Sequence, residues 1–565
     1  MEYRDIYSMW LESPYITDSD RKVLESMTAE EVHEAFYKAA EFGTGGMRGI
    51  MGLGTNRMNR YTIRLAAKAF AEILPKKAKV AVAYDTRNGS GAFAEETAKV
   101  LAACGIKVYL FDRPSPVPLL SFAVRQLKAD GGVVITASHN TGEYNGFKVY
   151  DESGCQMLPD RTEQIARAMA AIGDPTAIET VDTDDFIAEP GLIVHVGDEM
   201  IGQFQAAISD CGKAVEEIEP EKLKVVYTPL HGSGRDYVMD ALAGAGFTDV
   251  KLVPGQAEFD GDFPTVKKPN PEDPAALEMA AEMAEDADII IGTDPDCDRV
   301  GVGVIERAAD TGCRKLTCLT GNQTGVLLID YLSRKSCAGQ YGGAGKRLIT
   351  TIVTGEMGPL IARDRGMDVE YVLTGFKYIG EVMNRMDAAD ELKNFFMGYE
   401  ESYGYLAGTH ARDKDGVSSA LAICRMAAYH KAKGRTLTEV LAELYGRYGY
   451  WLDSQESLVY DGSRGEETMI KIMESFRKKG AGLFREIRAG EGSVSYRDYR
   501  NEGSGLPKAD VLKYSFGDGS WVAVRPSGTE PKIKIYYCIK GENEAAAHIR
   551  KEAAAECIHK LTGVY

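Results

Sequence analysis

A chain of 565 residues is too long for one hydrophobic core, and at about 150 residues per domain it predicts three or four. Its 44% apolar and 27% charged residues carry no bias toward collagen-like, disordered or membrane sequence, and no apolar run approaches the roughly 20 residues that cross a bilayer. A formal net charge of −18 opposes the footprint of a general nucleic-acid binder, so an anionic substrate must meet a local cluster of Lys and Arg.

The opening MEYRDIYSMWLESPYI mixes charges with aromatics and lacks the basic and apolar regions of a secretory signal, which leads to the expectation of a cytoplasmic protein. Ten singly scattered cysteines, with no CxxC pair, read as reduced and mostly buried rather than as a disulfide framework or zinc site. After the helical EEVHEAFYKAAEF comes GTGGMRG, Gly43 to Gly49. A dinucleotide loop would need a preceding strand and a glycine where Arg48 stands, so that reading fails. What remains is a flexible loop delivering one guanidinium, suited to a phosphate or carboxylate, or a plain surface loop.

From Lys79 the strand-like VAVAYDTR, the helical AFAEETAKVLAACG, the strand KVYLF, a further helix and the strand GGVVI follow βαβαβ order. GGVVI runs into TASHN, Thr136 to Asn140, with Ser138 beside His139. A serine at a strand end can be a nucleophile or phosphate carrier whose loop amides cradle an anion, and the same residues also build ordinary turns. The continuation EYNGFKVY adds Lys148 as an acid/base group or phosphate partner.

The alternation restarts at KLKVVYTPLHGSG and reaches DIIIGTDPDCDR, where Asp294, Asp296 and Asp298 stand at alternate positions. Three such charges together are costly unless a cation neutralises them, and hard oxygen ligands suit Mg²⁺; Arg299 could bind a phosphate nearby. A third unit runs through KRLITTIVTG and VEYVLTG to NFFMGYEESYGY. TGFKY supplies Lys377, GYEES supplies Glu400 and Ser402 for sugar hydroxyls or as a solvated acidic loop, and THARDKDG adds His410, Arg412 and Lys414. Open α/β sheets bind ligands beyond the carboxyl ends of their strands, so chemistry is expected at TASHN, DPDCDR and GYEES.

Beyond the helical DGVSSALAICRMAAYHKAKG the order changes to a helix near Glu466 to Lys478, the strands VLKYSF, WVAVRPSG and KIKIYYCI, and a helix through Leu561, a smaller α+β domain. RPSGTEPK, with Arg525, Ser527, Gly528 and Thr529, forms a phosphate clamp between two strands. Glu179 to Glu189 and Tyr450 to Gly462 read as linkers, and the domains as 1–200, 201–316, 317–450 and 451–565.

With Arg48, TASHN with NGFK, TPLHGSG, DPDCDR, TGFKY, GYEES and RPSGTEP in this order over about residues 40 to 540, the chain resembles the α-D-phosphohexomutase superfamily, best its longer phosphoglucomutase/phosphopentomutase branch. The resemblance implies three related α/β domains with mixed sheets and a C-terminal α+β domain, TATA-binding-protein-like, around a central cleft. It makes Ser138 the phosphoserine and a metal ligand together with Asp294, Asp296 and Asp298. Lys148 becomes the general base, His139, Lys377, His410 and Lys414 neighbours of the reacting or bound groups, and Arg48 and Arg299 the neutralising cations. Glu400 and Ser402 would contact sugar hydroxyls, while Arg525, Ser527, Gly528 and Thr529 hold the non-reacting phosphate.

The implied partners are small sugar phosphates, with no nucleic acid, membrane or readable protein partner, and the cofactors Mg²⁺ and glucose 1,6-bisphosphate as activator and intermediate. Glucose 1-phosphate and glucose 6-phosphate are the expected pair. Pentose phosphates, mannose phosphates, a glucose 1,6-bisphosphate synthase and a non-catalytic phosphosugar-binding regulator stay open. An aspartyl nucleophile at Asp294 would want Thr or Val where Asp298 stands. One departure is visible: many members read TASHNP, whereas Thr141 follows Asn140 here, and without proline's fixed φ the loop should be looser.

Overall fold

The computed structural model describes residues 2–563 except 44, 182–190, 214, 215, 217, 308–313, 335–343, 461–464, 485–493, 502, 504 and 528–531. Most of the expected linker at Glu179 to Glu189, and both Gly528 and Thr529, therefore lie outside the described residues.

The first sheet holds β1 (Met47–Ile50), β2 (Lys79–Tyr84), β3 (Lys107–Phe111), β4 (Gly131–Ile135), β5 (Tyr144–Asp151) and β6 (Ile193–Val196), in the order β1-β5-β4-β2-β3-β6. β2 runs parallel to β3 and β4, while β5 turns back antiparallel to β4. GGVVI is buried at every position because helices Arg60–Ile73 and Ser90–Ala103 contribute to the core on one face and Val117–Gln126 to that on the other. Such a strand reads as a continuous apolar run rather than an alternating one.

The second sheet repeats the plan: β7 (Val225–Thr228), β8 (Val250–Leu252), β9 (Ile289–Thr293), β10 (Val300–Arg307) and β11 (Arg314–Leu319) lie in the order β11-β10-β9-β7-β8. The third, β12 (Arg347–Thr351), β13 (Asp368–Val372), β14 (Phe395–Glu400) and β15 (Gly404–Leu406), has the order β13-β12-β14-β15. In all three, a strand with a parallel neighbour (β4, β9, β14) is followed by an antiparallel one (β5, β10, β15). The fourth sheet is wholly antiparallel, in the order β16-β20-β19-β18-β17, with β16 (Tyr450–Val459), β17 (Ser495–Asp498), β18 (Leu512–Ser515), β19 (Trp521–Pro526) and β20 (Lys532–Gly541).

The segment near Tyr450 to Gly462, expected to be a linker, is instead mostly β16, which pairs with β20 along its whole length. Its polar run Asp453 to Ser457 belongs to an edge strand, where polar side chains are the rule. Helix Gly416–Ala432 is buried almost throughout, from Gly416 to His430, and joins the second and third sheets in one apolar core. No helix among the described residues is long and apolar enough to cross a membrane.

Candidate active site

The three strand-to-strand turns carry the chemistry. Each contains a non-glycine residue in the left-handed region: Ser138 at φ +52°, Cys297 at +49° and Tyr403 at +63°. This conformation costs about 1–3 kcal/mol and persists only where the surroundings fix it. At the first turn the Ser138 amide donates to Thr136 Oγ1 at 2.8 Å, and Thr136 in turn donates to Asp296 Oδ2 at 3.2 Å across the domain boundary. The Ser138 hydroxyl donates to Asp294 Oδ2 at 3.0 Å and lies 3.2 Å from His139 Nδ1.

Asp294, Asp296 and Asp298 are fully buried, and their carboxylate oxygens gather within 4.8 Å of one another. Asp294 Oδ1 accepts from the amides of Asp298 (3.1 Å) and Arg299 (3.0 Å), which leaves Oδ2 for the serine. Asp296 Oδ1 and Asp298 Oδ1 are buried without a hydrogen-bond partner. Two orphaned anionic oxygens beside a serine hydroxyl are what a hard divalent cation would satisfy, so the donor set fits Mg²⁺.

Cations close the site. Lys148 Nζ meets Asp296 Oδ2 at 2.8 Å and Asp298 Oδ2 at 3.8 Å, and Lys414 Nζ meets Asp298 Oδ2 at 2.7 Å. Arg299 approaches Asp294 and Asp298 at 3.9 and 3.8 Å and is anchored by Glu272. Burial, then the charges of Asp296 and Asp298, push Asp294 well above the carboxylate range. Burial acts the same way on Asp296, yet Lys148 and Lys414 draw it below that range. Burial, with Arg299 and Arg48 nearby, holds His139 well below the usual histidine value, so its ring is neutral at pH 7.

A cavity of about 510 Å³ opens beside Ser138, lined by His139, Asn140 and Thr141 from the first domain and by Arg525, Ser527, Lys532 and Lys534 from the last. Arg48 also lines it, donating to Asn140 Oδ1 at 2.8 Å; it stands on strand β1 rather than in a flexible loop. Lys268 of the second domain completes the basic wall.

Glu400 ends β14 buried, accepting from the Gly375 amide at 2.8 Å, and Ser402 sits half-buried in the turn that follows. Glu401, beside it, is raised to about 7 by burial and by the Glu400 charge. Lys377 is buried at the start of helix Phe376–Ala388. His410 is engaged away from the cleft lining: its Nε2 lies 2.7 Å from Asp415 Oδ2 and its ring packs edge-on against Phe204. It orients Asp415, which caps helix Gly416–Ala432 directly after Lys414.

Sequence reasoning missed Glu272, Lys268 and Lys534, while Lys532 closes the RPSGTEPK motif already singled out. The alternation in KIKI was a signal for Lys534, since residues two apart on a strand share a face.

Four domain profiles of phosphoglucomutase/phosphomannomutase, α/β/α domains I, II and III and the C-terminal domain, match residues 39–175, 203–307, 320–448 and 472–556. A phosphoglucomutase of Staphylococcus epidermidis is 37% identical over 525 residues, spanning 90% of this chain and 92% of that protein. Among solved structures, the open form of pp63/parafusin, a phosphoglucomutase from Paramecium, shares the fold with a TM-score of 0.67 at 18% identity, covering 93% of this chain and 97% of that one. N-acetylphosphoglucosamine mutase from Aspergillus fumigatus, in complex with GlcNAc-6P and magnesium, gives a TM-score of 0.50 at 12% identity, covering 97% and 100%.

Proposed function

The chain belongs to the phosphoglucomutase/phosphomannomutase family and is a phosphosugar mutase, and from that premise we propose that it interconverts glucose 1-phosphate and glucose 6-phosphate through a phosphoserine at Ser138 and bound glucose 1,6-bisphosphate. The observation that carries this reading is the Ser138 hydroxyl resting 3.0 Å from Asp294 beside two orphaned carboxylate oxygens, next to the residues of its own loop that line a basic cavity.

In the forward half-reaction a sugar hydroxyl attacks phosphoSer138: a new O–P bond forms at the sugar, the Ser138 Oγ–P bond breaks with Oγ leaving as the alkoxide, and the hydroxyl proton passes to Lys148. Lys148 acts in this step as the free amine, after giving up the proton it holds against Asp296. After the bisphosphate reorients, Ser138 Oγ attacks the other phosphate: a new Oγ–P bond forms, the sugar O–P bond breaks, and the leaving sugar oxygen takes the proton back from Lys148. The serine is thereby rephosphorylated and the sugar monophosphate released. Mg²⁺, held by Asp294, Asp296, Asp298 and a phosphoserine oxygen, would supply charge neutralisation for the transferring phosphoryl group. Arg48 and Arg299 share that task, Lys414 fixes Asp298, and His139 stays neutral against the serine. Arg525 and Ser527, with Gly528 and Thr529, hold the non-reacting phosphate. Glu400 and Ser402 read the sugar hydroxyls, Lys377 adds a cation, and His410 positions the Lys414 segment through Asp415.

A coupled assay comparing glucose, mannose, ribose and deoxyribose 1-phosphates, with and without glucose 1,6-bisphosphate, tests the reading. Glucose 1-phosphate should have the highest kcat/KM and a requirement for catalytic bisphosphate. A preference for a pentose phosphate would reassign the substrate. Bisphosphate accumulation from a separate phosphoryl donor would reassign the reaction.

A further inference from the structure

The Ser138 loop is irregular backbone, and its buried carbonyls need donors. One side chain supplies four of them. Arg87, buried just beyond β2, donates through Nη2 to the carbonyls of Ser138 (2.6 Å) and Asn140, and through Nη1 to those of Thr141 (2.8 Å) and Tyr144 (3.1 Å). Its Nε edge faces Asp85 Oδ2 at 3.3 Å, and Asp85 is held by the Arg87 amide at 3.0 Å and the Ser90 hydroxyl at 2.7 Å.

The guanidinium carbon lies over the Phe263 ring, 4.9 Å from its centroid, so the clamp is closed by a residue of the second domain. The seam around it is tight. Asn88 Nδ2 donates to Asp262 Oδ1 at 2.6 Å, and a Cβ on Gly261 would fall 2.2 Å from the Asn88 nitrogen.

Ser138 holds a left-handed conformation that its surroundings must enforce, and residue 141 is a threonine with no ring to fix φ. We propose that Arg87, seated on Phe263, is a positioning residue for phosphoryl transfer: it grips the Ser138 loop through four carbonyls at once and keeps the reacting oxygen against Asp294 in both half-reactions. This rests on Ser138 being the phosphoryl carrier. Only arginine suits the task, because its planar fork aims five donors in fixed directions, whereas a lysine ammonium offers three from one point. The clamp acts through the loop and Arg87 does not line the basic cavity, so its loss belongs in kcat rather than KM.

The test measures kcat, KM for glucose 1-phosphate and the Ser138 phosphate content of Arg87→Lys and Phe263→Leu, each alone and with Thr141→Pro. Arg87→Lys should lower kcat by about thirtyfold or more, as expected for a misplaced reacting group, with KM within about threefold. Phe263→Leu should act in the same direction to a smaller extent. Thr141→Pro should recover at least about threefold of the lost kcat, since proline keeps the carbonyl that Arg87 uses while fixing φ. An Arg87→Lys kcat within about twofold of the parent overturns the proposal, as does a failure of Thr141→Pro to recover activity in either variant, which would mark general destabilisation. A parent enzyme with no phosphate on Ser138 overturns the carrier reading, and this inference with it. A phosphorylated parent whose Arg87 variant is unimpaired overturns this inference alone.

Discussion

Asp296 Oδ1 and Asp298 Oδ1 are buried anions with no donor, and the energetics of the acidic turn depend on what meets them. Asp296→Asn keeps the shape while removing one charge, so turnover should fall by about a hundredfold or more while the thermal midpoint changes little. EDTA should abolish activity and Mg²⁺ restore it, and full turnover in chelated buffer would remove the metal from the account. A second prediction concerns Lys377, which burial, reinforced by the charge of Arg525, lowers to about 8. The ammonium is present below that pH and neutral above it. Because its unfolded value is about 10.4, the native state binds fewer protons between the two values, so stability from this group rises with pH there while anion binding weakens. A sugar phosphate is already dianionic above about pH 6, so a fall in kcat/KM as pH rises through 8 reports the lysine. Lys377→Arg should erase that limb, and an unchanged profile would take Lys377 out of the binding site. At this scale Ser138 and the three aspartates were legible because each motif packs its own chemistry into five or six residues. Arg87 and Glu272 were not, since the carbonyls and guanidinium they hold lie 27 to 57 positions away in the chain.

The strands that present the catalytic turns could be read directly: GGVVI and the IIIG of DIIIG are buried on both faces and leave an uninterrupted apolar signal. β16 could not, because its polar edge position imitates a linker. Nor could the sequence reveal how helix Gly416–Ala432 is tied to the acidic turn. The Gly416 amide donates to the Cys297 carbonyl at 3.0 Å, and a Cβ on Gly416 would sit 2.6 Å from that oxygen. Gly416→Ala must therefore push the turn that holds Asp296 and Asp298. Its effect should be about a tenfold to hundredfold weaker apparent Mg²⁺ affinity in activity titrations, the range seen when groups supporting metal ligands are disturbed. Unchanged Mg²⁺ dependence would mean that the turn absorbs the methyl group elsewhere.

Across the whole molecule, the proposed recognition tasks are divided between domains. The last domain brings Arg525 and Ser527 to the cavity from β19 and the residue after it, while Glu400 of the third stands buried at the end of β14. A phosphate grip is needed for every sugar, so Arg525→Ala should lower kcat/KM for all substrates alike, by roughly ten- to a hundredfold, with poor rescue by lysine. Glu400→Gln should instead change the ratio between glucose 1-phosphate and ribose 1-phosphate, whose hydroxyls differ in number and direction. The reverse pattern would exchange the two roles. The order of the four domains was legible because each motif follows its own strand, whereas the meeting of distant loops at one serine depends on packing that no local pattern encodes. Intact-mass analysis of the enzyme after incubation with glucose 1,6-bisphosphate, followed by peptide mapping, tests the central claim most directly. One phosphate on the peptide containing Ser138, absent from Ser138→Ala together with mutase turnover, is the predicted result. A phosphoryl-enzyme that persists in Ser138→Ala, mapped to Asp294, would contradict it.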